Sequence, residues 1–117
     1  MNWKEVFEKD QEIVLGTTFN EEPNLNVVLS VGFFDEKLLI ADCQMNTTLK
    51  NLKSNNKICV YAKKNNTYLR LKGTVEIFNS GKYFEKCKEV CDGYNPKNAI
   101  LISIKEVFDL DNSKKII

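Results

Sequence analysis

The residue types that usually perform catalysis are scarce in this chain, and histidine is absent. Without an imidazole the chain has no histidine to activate a nucleophile, to act as a general base near neutral pH or to bind a metal. Chemistry by this protein would therefore depend on a cofactor, which supplies the reactive groups while the protein supplies position and electrostatics. We assign no catalytic side chain and no metal ligand from the sequence.

Four cysteines, Cys43, Cys59, Cys87 and Cys91, are the next candidates for chemistry. They are expected to be reduced thiols, because the sequence has no secretion signal. Cys87 and Cys91 are four residues apart in a predicted helix and share one of its faces. Small apolar core residues are the favoured interpretation. A metal site completed by Cys43 or Cys59 lacks the Cys-x-x-Cys spacing of zinc ribbons, and a redox pair is the third interpretation.

A short predicted helix after Ala41 is a candidate binding site. The segment 46–54 follows a strand, begins with Asn46 as its cap and continues with Thr47 and Thr48. The first amides of a helix have no partner within the helix and carry the positive end of its dipole. This helix start therefore suits a phosphate group, although an ordinary capped surface helix has the same pattern.

The surrounding pattern predicts strands joined by short turns. A first helix is capped by Asn2 and ends near Asp10, and a later helix runs from a cap at Ser80 to about Cys91. Strands are predicted at 12–19, 25–34, 38–41, 58–63, 68–78 and 99–110. The strand 68–78 alternates strictly, which places Tyr68 and Arg70 on a wet or ligand-facing side. Six strands in this order predict a closed or nearly closed antiparallel barrel with short helices.

Length and charge exclude several classes of protein. The 117 residues predict one domain with a core at about 12–110 and a C-terminal tail at 111–117. The net charge of +1 gives no general attraction for nucleic acid, so that no nucleic-acid partner is expected. No apolar run approaches the ~18 residues of a membrane span. The N-terminal residues carry no signal peptide, and we expect a cytoplasmic protein without a membrane partner.

The order and spacing of these segments resemble the FMN-binding split-barrel family related to pyridoxamine 5′-phosphate oxidase. The resemblance is carried by residues 23–28, 38–42, 45–55, 68–76 and 99–107. It implies a mainly β fold with short helices (α+β), a six-stranded antiparallel split β-barrel of the FMN-binding type. It also implies a homodimer with FMN at the subunit interface.

The resemblance also implies where each part of FMN would lie. Its phosphate is expected at the helix start, and its ring along the second strand and beside the third. Tyr68 and Arg70 are expected to reach the flavin from the other subunit. The predicted FMN-binding residues are Asn26, Val27, Val28, Leu29, Ala41, Asp42, Asn46, Thr47, Thr48, Asn51, Tyr68 and Arg70. For Asp42, capping of the turn is the alternative interpretation.

Thr47 departs from the family pattern, because many relatives have Lys or Arg there to pair with the phosphate. A lost charge-assisted hydrogen bond costs roughly 1.5–3 kcal/mol, or one to two decades in affinity. Lys50, Lys53, Arg70 or Lys72 would have to compensate for it. Two further features, the short chain and the single arginine, argue against true pyridoxamine-phosphate oxidase activity.

Three functions remain open from the sequence. The favoured function is a small FMN-dependent oxidoreductase or electron carrier. The alternative is a non-enzymatic dimeric binding module of the same fold that has lost FMN or binds another phosphorylated small molecule, and Thr47 favours it. An unrelated small β-barrel interaction protein is the third.

Overall fold

The computed structural model describes residues 2–91 and 93–117. A 3₁₀ helix spans Trp3–Phe7, and two α-helices follow, α1 at Thr47–Ser54 and α2 at Lys82–Val90. The strands are β1 Glu12–Phe19, β2 Glu22–Leu29, β3 Gly32–Phe34, β4 Lys37–Asp42, β5 Lys57–Lys64, β6 Thr67–Phe78, β7 Asn98–Asp109 and β8 Lys114–Lys115. None of the helices in these two ranges has the length and apolar character needed to span a membrane.

The strands form one antiparallel sheet in the order β2-β1-β5-β6-β7-β4-β3, and β8 pairs with β7. The prediction of a mainly β, antiparallel fold with short helices is confirmed. The prediction of six strands is not, because the sheet has eight strands and is not closed within the described ranges. Six of the eight strands are long, whereas β3 has three residues and β8 has two.

The extra strand β3 arises where the sequence predicted one continuous strand at 25–34. Ser30 is buried there, and its hydroxyl donates a hydrogen bond of 2.6 Å to the Phe7 carbonyl while its N–H donates to Gln11. Gly32 follows with φ +112°, a conformation that residues with a Cβ rarely adopt. The chain therefore bends between β2 and β3 and reaches β4 by a second hairpin.

The larger core cluster lies on one face of the sheet, and a second cluster around Leu39, Cys87 and Leu101 lies on the other face beneath α2. Val6 and Phe7 of the 3₁₀ helix are fully buried in the larger cluster with Ile13 and Leu15 of β1. Asn2 caps this helix as predicted, since its side chain accepts a hydrogen bond from the Lys4 N–H. The helix nevertheless ends at Phe7, earlier than the predicted boundary near Asp10.

A bulge between Lys72 and Gly73 interrupts the pairing of β6 with β7. A Cβ atom built on Gly73 would lie 2.2 Å from the carbonyl oxygen of Ser103. Only glycine therefore permits the two longest strands to approach so closely at this point.

The start of α2 differs from the prediction. Gly81 and not Ser80 occupies the N-cap position, and it has φ 92°. No side chain caps this helix. Composition favours Ser80 as the cap, whereas the positive φ at the boundary favours glycine.

Candidate functional site

A cavity of about 760 Å³ opens between β2, the end of β4 and the end of α2. This volume falls within the range of small-molecule sites, which is roughly 300–1,000 Å³. Its walls are residues 26–31 on one side, Ala41 and residues 43–45 on another, and Val90, Cys91 and Tyr94 on a third. Asp10 and Glu12 complete the lining. Three segments that are distant in sequence therefore meet around one space.

The cavity collects the residues predicted to hold the flavin ring. Asn26, Val27, Val28, Leu29 and Ala41 all line it. The first four belong to β2, which lies at one end of the sheet order and pairs there with β1. The four residues of β2 form one wall and Ala41 belongs to another, and contact of all five with FMN stays a prediction.

Asn26 presents a polar group within this largely apolar wall. Its side-chain oxygen accepts a hydrogen bond of 2.9 Å from the N–H of Val27. A carboxamide also carries two N–H donors, and such a group can fix the polar edge of an otherwise apolar ligand. This wall therefore consists of a largely apolar strand that carries one hydrogen-bonding side chain, the Asn26 carboxamide.

Asp42 does not line the cavity, although it was predicted to contact the ring. It is fully buried, and its carboxylate accepts hydrogen bonds of 2.8 Å from the Met45 N–H and 2.7 Å from the Asn98 side chain. Both bonds tie the segment between β4 and α1 to the fold. Asp42 therefore holds the lining residues 43–45 in place, and its contact with FMN stays a prediction.

The four residues predicted to bind the phosphate differ in their exposure at the start of α1. Asn46 and Thr47 are exposed, whereas Thr48 and Asn51 are buried. The Thr48 hydroxyl accepts a hydrogen bond of 3.1 Å from Asn24, and Asn51 donates one of 3.0 Å to Thr17. Thr48 and Asn51 therefore attach α1 to β2 and β1. Asn46 and Thr47 are the exposed members of this set, and contact of all four residues with a phosphate stays a prediction.

The helix is also not capped as predicted. Asn46 precedes it with φ −123° and ψ −75°, and its side chain makes no capping hydrogen bond. Of the two leucines predicted to face inward, Leu52 is buried and Leu49 is only half-buried. Residues three and four apart share a helix face, and the buried face here is the one that carries Thr48, Asn51 and Leu52.

The charge of the cavity is negative. Asp10 and Glu12 are its only charged lining residues in the part of the chain that the structure describes. Lys50 lies on α1 with its Nζ 5.9 Å from the centroid of the Phe19 ring. The cavity therefore lacks a cation of its own that would pair with a phosphate.

Tyr68 and Arg70 lie on β6, away from this cavity. Arg70 lies 3.9 Å from the Glu106 carboxylate and 4.9 Å from the centroid of the Phe108 ring. Tyr68 faces the Lys63 ammonium at 5.1 Å. The alternation predicted for β6 is confirmed, since both side chains lie on its half-exposed side. Their contact with a flavin of another subunit stays a prediction.

Several lining residues were missed by the sequence analysis, among them Cys43, Gln44, Met45, Cys91 and Tyr94. Cys43 and Cys91 are both half-buried in the wall of this cavity. Burial raises the pKa of both thiols. Their shared position in one cavity has no local signature, because Cys43 follows β4 while Cys91 ends α2.

Cys87 is fully buried, and its thiol donates to the Ile40 carbonyl at 3.8 Å. Burial raises the pKa of Cys87 to about 12. The core interpretation is therefore confirmed for Cys87. Among residues 2–91 and 93–117, no three side chains of the types His, Cys, Asp and Glu are grouped so that they could hold a metal ion.

No protein-family model matches the sequence. The chain is 32% identical over 111 residues to an uncharacterized protein, MJ0282, of Methanocaldococcus jannaschii. The alignment covers 86% of this chain and 74% of the archaeal protein.

Solved structures show the same fold at lower identity. HupZ of Group A Streptococcus superposes with a TM-score of 0.86 at 23% identity, over 97% of this chain and 95% of that chain. An FMN-binding protein of Syntrophomonas wolfei superposes with a TM-score of 0.70 at 17% identity, over 93% and 80% of the two chains.

A third structure, from Clostridium acetobutylicum, is a protein related to general stress protein 26, of the pyridoxinephosphate oxidase family. It superposes with a TM-score of 0.66 at 22% identity, over 91% and 83% of the two chains. The split-barrel resemblance drawn from the sequence is thereby confirmed in the fold.

Proposed function

We propose that this chain, which belongs to the family of the M. jannaschii protein MJ0282 and has the split-barrel fold related to pyridoxamine 5′-phosphate oxidase, is a flavoprotein that binds FMN beside β2. The observation that carries the proposal is the cavity itself. Its volume suits a small-molecule ligand, and five residues predicted for the flavin ring line it together. A bound flavin would supply hydride or electron transfer, and the protein would act as a small oxidoreductase or electron carrier.

The residues of this chain fit the two halves of FMN unequally. The wall formed by β2 is apolar with one carboxamide, which suits a flat heteroaromatic ring. The exposed start of α1, with Asn46 and Thr47, offers the phosphate free amides and one hydroxyl. Because Thr47 has no positive charge to pair with the phosphate, we expect the affinity of this chain for FMN to be below that of relatives with Lys or Arg at this position.

A homodimer is part of the proposal. Leu25, Val27 and Leu29 point out of β2 with 74%, 55% and 58% of their surface exposed. Two of the three also line the cavity. An apolar stripe on an edge strand is a surface that soluble proteins usually cover. A second copy lying on it would close the cavity and could bring Tyr68 and Arg70 to the flavin.

One observation favours the second candidate, a non-enzymatic binding module of this fold that has lost FMN or takes another phosphorylated small molecule. The charged residues of the cavity are both acidic. A dianionic phosphate near Asp10 and Glu12 would be repelled, because like charges at short range disfavour each other. This repulsion favours loss of FMN and applies equally to another phosphorylated ligand.

The visible absorption spectrum of the purified protein, repeated after addition of FMN and desalting, tests the proposal. A retained flavin band supports FMN binding. A colourless protein that retains no FMN, as parent and as Thr47→Lys, contradicts it and favours the binding module. Thermal stabilisation by other phosphorylated molecules would then identify the ligand class.

Substitutions at Thr47 sharpen the test, because this side chain is exposed at the helix start. Thr47→Lys should tighten FMN binding about ten- to a hundredfold, the equivalent of one charge-assisted hydrogen bond of roughly 1.5–3 kcal/mol. Thr47→Glu should weaken it. The matched control is Ser80→Lys, which adds the same charge at an exposed position before α2 and should leave the affinity unchanged.

A further inference from the structure

A second cavity, of about 420 Å³, lies on the face of the sheet opposite the larger core cluster. Lys57 and Cys59 of β5 and Lys72 of β6 line it, whereas their neighbours Ile58 and Leu71 are buried in that cluster. Successive side chains of a strand point to opposite faces, so that the three lining residues point away from the core. This cavity shares no lining residue with the cavity beside β2.

Three lysines from three neighbouring strands give this second cavity its charge. They are Lys57 of β5, Lys72 of β6 and Lys105 of β7, and all three are exposed. In the part of the chain that the structure describes, no carboxylate lines the cavity and none of the three lysines forms an ion pair. Since the whole chain has a net charge of only +1, this group is a local excess of positive charge. Such an excess around a concave space favours an anionic ligand.

The bulge between β6 and β7 places two of these lysines side by side. Lys72 pairs with Glu106, and the next residue of β6 pairs with Ile104, so that Lys105 is the extra residue of β7. Bulges of this kind change the direction of the side chains beside them. Lys105 lines the cavity together with Lys72, whereas the Glu106 carboxylate lies 3.9 Å from Arg70. The nearest carboxylate in this ladder is therefore directed at another cation.

The uncharged lining residues also suit an anion. Gly16 has no side chain to fill the space, since a Cβ built there would lie 3.7 Å from the Cβ of Cys59. The Asn55 carboxamide donates a hydrogen bond of 3.3 Å to the Thr18 hydroxyl, whose own proton can be donated to a ligand. Asn55 is also the C-cap of α1. The negative end of the helix dipole there amounts to about half an elementary charge, which three ammonium groups outweigh.

We propose that this cavity is a second ligand site, which binds the dianionic phosphate group of a small molecule between Lys57, Lys72 and Lys105. Lysine binds phosphate as a point charge and needs no fixed geometry. The site is separate from the proposed FMN site, because it borders the end of α1 at Asn55, whereas Thr47 lies at the start of that helix. Inorganic phosphate and phosphate monoesters share the group that is recognised, and the experiment below separates them.

Cys59 can report on occupancy, because its half-buried thiol lies in the wall of the cavity. The protein is alkylated with iodoacetamide, an uncharged reagent, at constant ionic strength and with inorganic phosphate, phenyl phosphate or phenol added. After digestion with trypsin, Cys59 is measured in peptide 58–63 and Cys43, the internal control, in peptide 38–50. We expect both phosphates to slow alkylation of Cys59 and not of Cys43, and phenol to have no effect.

The two phosphates identify the source of the phosphate group. Half-maximal protection of Cys59 at a lower concentration of phenyl phosphate indicates that the site accepts a monoester with an organic group. Equal concentrations indicate that it recognises the phosphate group alone. Protection should weaken as salt is added, because exposed charges are screened over about 10 Å at 0.1 M ionic strength.

Substitution of the lysines tests their part in binding. Lys72→Gln and Lys105→Gln should each raise the concentration for half-maximal protection about two- to fivefold, the usual effect of one exposed charge pair. The double variant should show a larger loss than either. Lys63→Gln is the matched control, because Lys63 is an exposed lysine of β5 that does not line the cavity. It should leave protection unchanged, with Cys59 then measured in peptide 58–64.

The proposal is overturned if neither phosphate protects Cys59, if phenol protects it as well as phenyl phosphate does, or if the double variant is protected like the parent. A readout without thiol chemistry is the thermal midpoint, which phenyl phosphate should raise more in the parent than in the double variant. Equal shifts would contradict the proposal.

FMN binding by the double variant separates this proposal from the proposed function. We expect the variant to bind FMN like the parent, and weaker binding would assign the lysines to the flavin phosphate and overturn a separate site. Protection of Cys59 by phenyl phosphate does not require bound flavin. A parent that retains no FMN but shows this protection would therefore contradict only the proposed function.

Discussion

Asn51 donates a hydrogen bond of 3.0 Å to the Thr17 hydroxyl, and both side chains are buried between α1 and β1. A polar residue predicted to contact phosphate therefore holds the helix on the sheet. A buried donor or acceptor that loses its partner costs about 1–3 kcal/mol.

This pair yields the first prediction. Asn51→Ala should lower the free energy of unfolding by about 1–3 kcal/mol, because it leaves the buried Thr17 hydroxyl without its donor. Chemical denaturation measures the effect, and a cycle with Thr17→Val isolates the pairwise part. An unchanged stability with weakened FMN binding would instead make Asn51 a ligand contact.

Gly73 should be intolerant of any side chain. Gly73→Ala places a Cβ 2.2 Å from the Ser103 carbonyl oxygen, and the backbone of β7 cannot yield as a flexible side chain would. We expect a loss of at least about 1–3 kcal/mol, the usual cost of overpacking. Gly16→Ala is the matched control, since its Cβ would meet neighbours no closer than 3.6 Å. Equal thermal midpoints for the two variants would refute the prediction.

Cys87 should make stability fall at alkaline pH. Burial raises the pKa of its thiol from the ordinary value of 9.0 to about 12. Between these values the unfolded chain has lost the proton while the folded chain retains it. The free energy of unfolding should therefore fall as pH rises through this window, by at most about 1.4 kcal/mol per pH unit. Below pH 9 Cys87 should contribute no pH dependence.

The contribution of the Cys87 thiol is isolated by measuring the free energy of unfolding of Cys87→Ala as a function of pH. Removal of the thiol costs a constant amount for the lost packing, but it should abolish the part of the alkaline slope that Cys87 causes. Parallel profiles for parent and variant between pH 9 and about 12 would show that another group is responsible.

Alkylation of Cys43 and Cys91 should accelerate with pH and continue to do so above about pH 9. Burial raises the pKa of both thiols; for Cys43 the Asp42 carboxylate raises the pKa further, and the Cys91 side chain acts in the opposite direction. Asp10 and Glu12 on the same cavity add negative charge. Alkylation by iodoacetamide, followed by mass spectrometry against free cysteine, measures the thiolate fraction. Half-maximal alkylation at or below pH 9.0, the ordinary pKa of a cysteine thiol, would contradict the prediction.

The apolar stripe on β2 should hold the dimer together. Val27→Lys places a charge in the middle of the stripe, where burial against a second copy would be costly. We expect light scattering after gel filtration to report a monomer for this variant and a dimer for the parent. Ile117→Lys is the control, because Ile117 is an exposed apolar residue of similar exposure near β8. A monomeric parent would remove the dimer from the proposed function.

Local pattern determined most of the strands. Alternation between apolar and polar residues is set by the backbone pleat itself, and the predicted strands at 12–19, 58–63 and 68–78 agree with β1, β5 and β6 within two residues. The break between β2 and β3 was not predictable in this way. It depends on Ser30 bonding to Phe7, a contact that exists only once the first helix packs on the sheet.

In the candidate site, too, some features are predictable from local sequence and others depend on packing. The helix start after β4 was predictable from its own residue types, whereas the ring-binding residues of β2 were implied by the family resemblance. The packing of α1 on the sheet determines which of its side chains are buried. Thr48 and Asn51 are buried and hydrogen-bond to β2 and β1, whereas Thr47 is exposed. Tertiary structure also placed Cys91, at the end of α2, in the wall of the same cavity as Cys43. Contacts between distant segments depend on how elements pack, and no local pattern of residues encodes them.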